Sequence, residues 1–234
     1  MGTRGLLGFI ISGKRIGTYN HFDSYPEGLG VAIVRFLLGL TPEQRKVMVT
    51  NLNSINWVKR AHDVPKEVIE EYMLKDFHLT PNEKELRSNN PEKFRFNTSL
   101  DSYPSDWYTL LRGVQGANCL PHILDGSLKH LIDNTDFEQD GLFCEWSYWI
   151  NFEEQYLLMN GGKERKWDFN ELDKGYWAKL IDDDEQEERK RQGTGKDKGD
   201  EQAIHQSVQE AIVQANYILN AMFSGQSAFR YQHA

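Results

Sequence analysis

The sequence predicts an α+β fold in which helices pack on a mainly antiparallel sheet. Strand patterns are concentrated in residues 3–20 and 142–159, whereas apolar residues at helical spacing fill the chain between them. The chain has 234 residues, of which 39% are hydrophobic and 12% aromatic, so it is long enough to bury a core around such a sheet. This composition excludes wholesale disorder, because so many large apolar side chains need burying.

The N-terminal strand pattern predicts a β-hairpin. Residues 3–11 are rich in Leu, Ile and Phe, residues 12–14 (Ser-Gly-Lys) have turn chemistry, and residues 16–20 form the returning strand. Residues 21–30 contain one proline and two glycines and are therefore expected to form a loop after the hairpin.

The middle of the chain is predicted to be mainly helical. Thr41 is the expected N-cap of one helix, with Pro42 at its first position. Residues 80–104 are polar and contain three prolines, so we predict that they are mostly loop. The predicted helices span residues 29–40, 41–52, 65–74, 106–115 and 123–132.

Residues 142–152 carry the clearest strand pattern in the chain. Cys144, Trp146 and Tyr148 share one face of this strand, whereas Glu145 lies mid-strand on the opposite face. Residues 155–159 are the expected return strand, which completes the prediction of an antiparallel sheet.

The predicted domain organisation is one α+β domain over residues 1–181, followed by two further segments. Residues 182–200 are charged and lack any large apolar side chain, which is typical of a flexible insertion. Residues 201–223 return to helical periodicity, so we expect a C-terminal helix that docks on the same domain.

The charge of the chain is unevenly distributed. The net charge is −8, but the first 60 residues carry +5 and the remainder −13. An acidic protein is not an obvious nucleic-acid binder, yet the basic N-terminal quarter offers a local patch for an anionic ligand. The alternative is that these basic residues only form a solvated helix face.

The remaining composition excludes several classes of protein. No apolar run is long enough for a membrane span, and the N-terminus lacks the layout of a signal peptide. Two cysteines are too few for a disulfide scaffold, so we expect a cytoplasmic protein without membrane partners. We predict neither a metal centre nor a cofactor, because no spaced Cys/His cluster and no phosphate-binding loop is present.

The loop at residues 19–25 is the first candidate site, because six of its seven side chains are polar or ionisable. His21 is the expected general base, Asp23 would orient it or hold an amine, and Ser24 is the candidate nucleophile. The expected substrate-binding residues of this loop are Tyr19, Asn20 and Tyr25. The alternative interpretation is that the loop makes only turn and cap hydrogen bonds.

Glu145 is the other catalytic candidate. If its face of the strand is covered, desolvation would suit it to proton transfer, whereas on a one-sided sheet it would point to solvent. Arg4 and Arg112 are expected to bind substrate, although an Arg4–Glu145 pair would be structural as easily as catalytic. We predict that Arg4, His21, Asp23 and Glu145 converge on one pocket.

The N-terminal motifs resemble those of a family of small fungal, bacterial and phage proteins. The shared pattern is Thr3-Arg4-Gly5, a hairpin, and then Tyr-Asn-His-x-Asp-Ser-Tyr-Pro-x-x-Leu-Gly, which begins here at Tyr19. Residues 107–126 and 140–153 look like further shared regions, so the resemblance covers about half the chain. The chain also resembles the fungal arginine-containing cyclodipeptide synthases, small proteins that couple aminoacyl groups from charged tRNA.

The cyclodipeptide-synthase resemblance implies an acyl-transfer enzyme that uses aminoacyl-tRNA and a small-molecule substrate. In that case the basic first quarter of the chain would contact tRNA phosphates. Two alternatives stay open: a non-catalytic module that binds a ligand or protein, and an amidohydrolase related to the N-terminal-nucleophile hydrolases. Thr3 begins the first strand as in that hydrolase group, but removal of Met1 would expose Gly2 and leave Thr3 without a free amine.

Overall fold

A five-stranded mixed sheet organises the part of the chain that the structure describes. The computed structural model describes residues 3–97, 104–172 and 176. The strands in chain order are β1 (Gly5–Ile11), β2 (Lys14–Asn20), β3 (Asn56–Val58), β4 (His130–Ile132), β5 (Trp146–Asn151), β6 (Tyr156–Asn160) and β7 (Glu164–Asp168). The main sheet has the order β2-β1-β5-β6-β7, in which only β1 and β5 are parallel neighbours. The prediction of an α+β fold with a mainly antiparallel sheet and an N-terminal hairpin is confirmed.

The hairpin turn explains how β1 and β2 come together. Ser12 and Gly13 both have positive φ, at 48° and 76°, which matches the right-handed twist of the flanking strands. The register then places Leu6 opposite Tyr19 and Ile10 opposite Arg15. Tyr19 therefore lies at the far end of the hairpin from its turn.

Helices and short helical turns occupy most of the chain between β2 and β5. A single π-helical turn at Pro26–Gly30 precedes the first helix. The helices are α1 (Val31–Leu38), α2 (Pro42–Asn53), α3 (Lys66–Leu74), α4 (Pro81–Asn89), α5 (Pro91–Asn97), α6 (Trp107–Leu110) and α7 (Cys119–Leu124). None of these helices has the length and apolar character needed to cross a membrane.

The prediction that residues 80–104 are mostly loop is wrong. Thr80 caps α4, since its side chain accepts from the Glu83 backbone N–H and the Glu83 carboxylate accepts from the Thr80 backbone N–H. Pro81 and Pro91 each stand at the first position of a helix, where the missing N–H costs nothing. Two of the three prolines of this segment therefore mark helix starts instead of breaking helices.

Several boundaries differ from the sequence prediction, and the helix predicted over 106–115 ends at Leu110. Residues 130–132 form β4, a short strand parallel to β3, instead of continuing a helix from residue 123. The strand predicted over 142–152 begins only at Trp146, so Glu145 precedes β5 instead of lying within it. Asp140 explains the late start, because its carboxylate accepts from the backbone N–H groups of Leu142 and Phe143 and holds them in a turn.

Both faces of the main sheet are buried at its three central strands, β1, β5 and β6. On one face, Leu7, Phe9 and Tyr148 are fully buried, and Phe9 packs against Trp57 of β3. On the other face, Leu6, Ile10, Trp149 and Leu158 form a cluster that Phe137 and Cys144 cover. We call this second side the capped face, because the segment at residues 134–144 lies over it.

The described residues belong almost entirely to the first of two compact units, Met1–Asn170. Only Glu171, Leu172 and Tyr176 of the second unit are described. The predicted domain end at residue 181, insertion at 182–200 and helix at 201–223 lie outside the described residues.

Candidate functional site

The open end of the hairpin carries a hydrogen-bonded tyrosine–histidine pair. The Tyr19 hydroxyl lies 2.8 Å from Nδ1 of His21. The two residues are separated by one position in an extended segment, so their side chains point the same way. Both rings are half-buried. Phe137, in the segment at residues 134–144 that lies over the capped face, packs edge-on against Tyr19 with ring centroids 5.1 Å apart.

Two arginines act electrostatically on Tyr19. Burial raises the pKa of Tyr19, while the positive charges of Arg4 and Arg60 work in the opposite direction. Neither guanidinium forms an ion pair with a described residue: Arg4 lies over the Phe143 ring at 5.2 Å and Arg60 over the Tyr108 ring at 4.7 Å. We refer to Arg4, Tyr19, His21, Arg60 and Tyr108 as the Tyr19 cluster.

Ser24 is held in a structural position. Its side chain is fully buried, and its hydroxyl oxygen accepts a hydrogen bond from Nδ2 of Asn20 at 2.8 Å. Its backbone N–H donates to the Thr3 carbonyl, and its carbonyl accepts from the Tyr148 hydroxyl. This burial argues against the nucleophile role predicted for Ser24, because a substrate has no access to its hydroxyl.

Asn20 likewise supports the loop instead of facing a ligand. It is 8% exposed, and its amide also donates to the Phe22 carbonyl. Gly116 lies so close that a Cβ there would be 2.3 Å from the Asn20 side-chain oxygen, which accounts for a glycine with φ of +54° at that position. For Asn20 and Ser24 the structure therefore favours the alternative of turn hydrogen bonds.

The other residues of the loop are exposed. Asp23 has a φ of +51°, and its backbone carbonyl accepts from the Leu29 N–H at 2.8 Å. Its backbone packs against Gly28, where a Cβ would come within 2.2 Å of the Asp23 carbonyl oxygen. Tyr25 is 38% exposed. The loop is thus fixed through its backbone while these side chains face outward.

Glu145 and Arg4 are neighbours through their backbones. The Glu145 N–H donates to the Arg4 carbonyl at 3.1 Å, since the two residues precede the parallel strands β1 and β5. The Glu145 side chain is exposed, so the predicted covered carboxylate is not observed. The structure places Arg4, His21, Asp23 and Glu145 around one end of the sheet, but the two carboxylates face solvent there.

Arg112 is engaged elsewhere. Its guanidinium donates to the Glu83 carboxylate at 2.9 Å and to the His78 carbonyl, so it ties the turn after α6 to the start of α4. It is not part of the Tyr19 cluster, and the substrate-binding role predicted for it has no support in this geometry.

Arg60, Tyr108 and Phe137 are the members of this region that the sequence did not single out. They lie in three separate segments that meet Tyr19 only in the folded chain. Arg60 belongs to the basic first quarter of the chain, and that charge bias was the one sequence signal that could have indicated it as a site residue. In the described ranges, no group of three or more His, Cys, Asp or Glu side chains is arranged to hold a metal ion.

The chain matches no protein-family model, no curated protein and no solved structure. The chemistry of the Tyr19 cluster is therefore the basis for assigning a function.

Proposed function

We propose that this protein is an acyl-transfer enzyme that takes its acyl group from an aminoacyl-tRNA, with Tyr19 and His21 as its proton-transfer pair. The observation that carries this proposal is the 2.8 Å contact between the Tyr19 hydroxyl and Nδ1 of His21, beside two arginines that no described carboxylate pairs with. The resemblance to the arginine-containing cyclodipeptide synthases supports the choice of acyl donor.

The Tyr19–His21 pair supplies both a base and an acid. In the tautomer in which Nδ1–H donates to the phenol oxygen, Nε2 of His21 carries a free lone pair and accepts the proton of an attacking amine. The Tyr19 O–H then points away from His21 and donates to the carbonyl oxygen of the ester. Because burial raises the pKa of Tyr19, its hydroxyl keeps this proton at neutral pH.

The bond changes are those of ester aminolysis. The amine nitrogen forms a bond to the ester carbonyl carbon, the bond to the ribose oxygen breaks, and the amine proton passes through His21 to that leaving oxygen. No serine nucleophile is needed, which agrees with the burial of Ser24.

Arg4 and Arg60 would hold the anionic part of the substrate. Guanidinium groups bind phosphate through several charge-assisted hydrogen bonds, and both arginines have donors that no carboxylate of the described chain occupies. Phe143, which is 46% exposed, offers ring surface on which a base of a single-stranded tRNA end can stack.

The test is to mix the purified full chain with aminoacyl-tRNAs, each charged with one isotope-labelled amino acid, and to follow amide products by mass spectrometry. The proposal predicts a labelled dipeptide or cyclic dipeptide that requires both the protein and intact aminoacyl ester. Free amino acids with uncharged tRNA serve as the control. If no combination of charged tRNAs yields a product above this control, the proposed activity is wrong.

A second candidate function is a non-catalytic binding module. It is favoured by the exposed apolar side chains Phe22, Leu142 and Phe143, which are 63%, 77% and 46% exposed near the same end of the sheet. The two functions differ in one observable: the module would bind charged tRNA or another partner without shortening the lifetime of the aminoacyl ester.

A further inference from the structure

A cavity on the helical side of the protein collects three basic side chains. It has a volume of about 510 Å³ and lies between α1, α4 and the segment that leads into α7. Arg35, Lys84 and His122 contribute the basic groups, and Phe36, Ala117 and Pro121 are among the apolar lining residues. No carboxylate side chain lines this cavity in the described part of the chain.

The two permanently charged groups have no partner in the described residues. Neither Arg35 nor Lys84 makes a side-chain hydrogen bond or ion pair there, although Lys84 is half-buried. Both groups therefore keep free N–H donors, which would form charge-assisted hydrogen bonds with an anion in the cavity. The acid that Lys84 acts on electrostatically, Asp76, is ion-paired with Arg87. Two cations without an ion pair of their own, in one cavity, therefore point to a ligand of opposite charge.

His122 completes the basic side of the cavity. Its Nδ1 lies 3.2 Å from the Ser127 hydroxyl and 3.9 Å from the Asp125 carboxylate. Its Nε2 has no hydrogen-bond partner in the described residues, and in the tautomer in which Nδ1 accepts from the Ser127 hydroxyl, Nε2–H can donate to a ligand.

The neighbouring acid on α4 does not neutralise Lys84. Glu83 accepts hydrogen bonds from the backbone N–H and hydroxyl of Thr80, and both of its oxygens accept from Arg112. The Glu83 carboxylate is therefore bound to the Thr80 cap and to Arg112, which does not line the cavity.

We propose that this cavity binds a small organic anion, whose phosphate or carboxylate group contacts Arg35, Lys84 and His122 while its apolar part packs against Phe36. The cavity is open to solvent, its volume falls within the range of small-molecule sites, and Phe36, Ala117 and Pro121 offer apolar surface to a ring. The site shares no residue with the Tyr19 cluster, so its test is independent of the proposed function.

The test is calorimetric titration of the full chain with four probes: phenyl phosphate, benzoate, inorganic phosphate and benzyl alcohol. We expect saturable binding of phenyl phosphate or benzoate, about tenfold weaker binding of inorganic phosphate, and none of benzyl alcohol. The ratio of the first two affinities shows which acid group the cavity prefers. The absence of saturable binding of both anions, or binding of benzyl alcohol as strong as that of the anions, would overturn the proposal.

Variants locate the binding. Lys84→Met and Arg35→Met keep an apolar stem and remove one charge each, so each should weaken binding about tenfold. Lys46→Met, on the exposed side of α2, is the matched control and should bind like the unchanged protein. The urea midpoint of each variant confirms that it is folded. Unchanged affinity in both cavity variants, or an equal loss in Lys46→Met, would place the anion elsewhere and contradict the proposal.

Discussion

Gly8 shows how a single side-chain hydrogen determines packing on the capped face. It pairs with Trp149 across the parallel strands, and a Cβ at position 8 would lie 2.2 Å from the indole ring. Trp149 is fully buried and donates its Nε1–H to Glu138 at 2.7 Å, so the ring cannot move aside without losing that hydrogen bond.

We therefore expect Gly8→Ala to destabilise the protein by about 1–3 kcal/mol through overpacking. Urea unfolding followed by tryptophan fluorescence measures this change. Gly141→Ala is the matched control, because a Cβ added there would meet nothing within 4 Å and the φ of Gly141 is not positive. Equal midpoints for the two variants would show that Trp149 has room to shift.

A second prediction for a single residue concerns the reactivity of the Cys144 thiol. Burial, together with the negative charges of Glu138 and Asp140, raises the pKa of its thiol to about 11. Because only the thiolate reacts with alkylating agents, the thiolate fraction at pH 8 is roughly a thousandth, compared with about a tenth for a thiol of ordinary pKa near 9.

Alkylation of Cys144 by iodoacetamide, followed by peptide mass spectrometry, should be slow at pH 8 and accelerate up to about pH 11. Asp140→Asn removes one of the two charges and should shift the rate profile to lower pH. A profile with its midpoint near pH 8.5 in the unchanged protein would contradict the assigned environment.

For a whole helix, the prediction concerns the stability that the N-terminal cap of α4 contributes. Thr80 and Glu83 form a reciprocal cap, and Glu83 in addition binds Arg112. Removing the cap with Thr80→Ala should cost about 1 kcal/mol in the free energy of unfolding. Ser88→Ala in the last turn of the same helix is the control, since the exposed Ser88 hydroxyl only donates to the Lys84 carbonyl and its loss should cost less than about 0.5 kcal/mol. Urea unfolding of both variants checks the difference, and equal costs would contradict the role of the cap.

Helix caps also show what the sequence makes predictable. Thr41-Pro42 predicts a helix start, and α2 does begin at Pro42, with Gln44 completing the cap. Thr80-Pro81 with Glu83 is the same signal, yet the loop prediction for residues 80–104 gives more weight to polar composition and prolines than to the cap pattern. Local capping chemistry is the stronger predictor, since it satisfies the free N–H groups of the first turn.

The candidate site is predictable only where it is local in sequence. Tyr19 and His21 are two residues apart in an extended segment, so their pairing follows from strand geometry. The burial of Ser24 could not be read from the sequence, because it depends on Thr3 and Tyr148 meeting the loop in the folded chain. Arg60 and Tyr108 join the cluster through tertiary packing that no short pattern encodes.

Three half-buried histidines govern the pH dependence of stability that the described residues predict near neutral pH. Burial lowers the pKa of His78, His122 and His130 below the ordinary value of 6.5. The unfolded chain therefore binds more protons than the folded chain just below pH 6.5, and the free energy of unfolding falls as the pH drops through that window. The carboxylates with lowered pKa, among them Asp76 and Asp133, add to the loss only below about pH 4.

We expect urea midpoints to be constant between pH 7.5 and 7 and to decrease steadily from pH 6.5 to 5. His130→Asn, which removes one of the three groups, should flatten this slope. Stability that is level or rises on acidification over the same interval would show that the histidines are hydrated in the folded protein.

The most direct test of the central claim compares two tyrosine variants in single-turnover transfer from aminoacyl-tRNA. Tyr19→Phe removes the hydroxyl that contacts His21, whereas Tyr156→Phe removes a half-buried hydroxyl from β6 on the same sheet, where the Lys166 ammonium lies 3.9 Å from its ring centroid. The proton-transfer role predicts a rate about 10²–10⁴-fold lower for Tyr19→Phe and an unchanged rate for Tyr156→Phe. Equal rates in the two variants would contradict the assignment of the Tyr19–His21 pair.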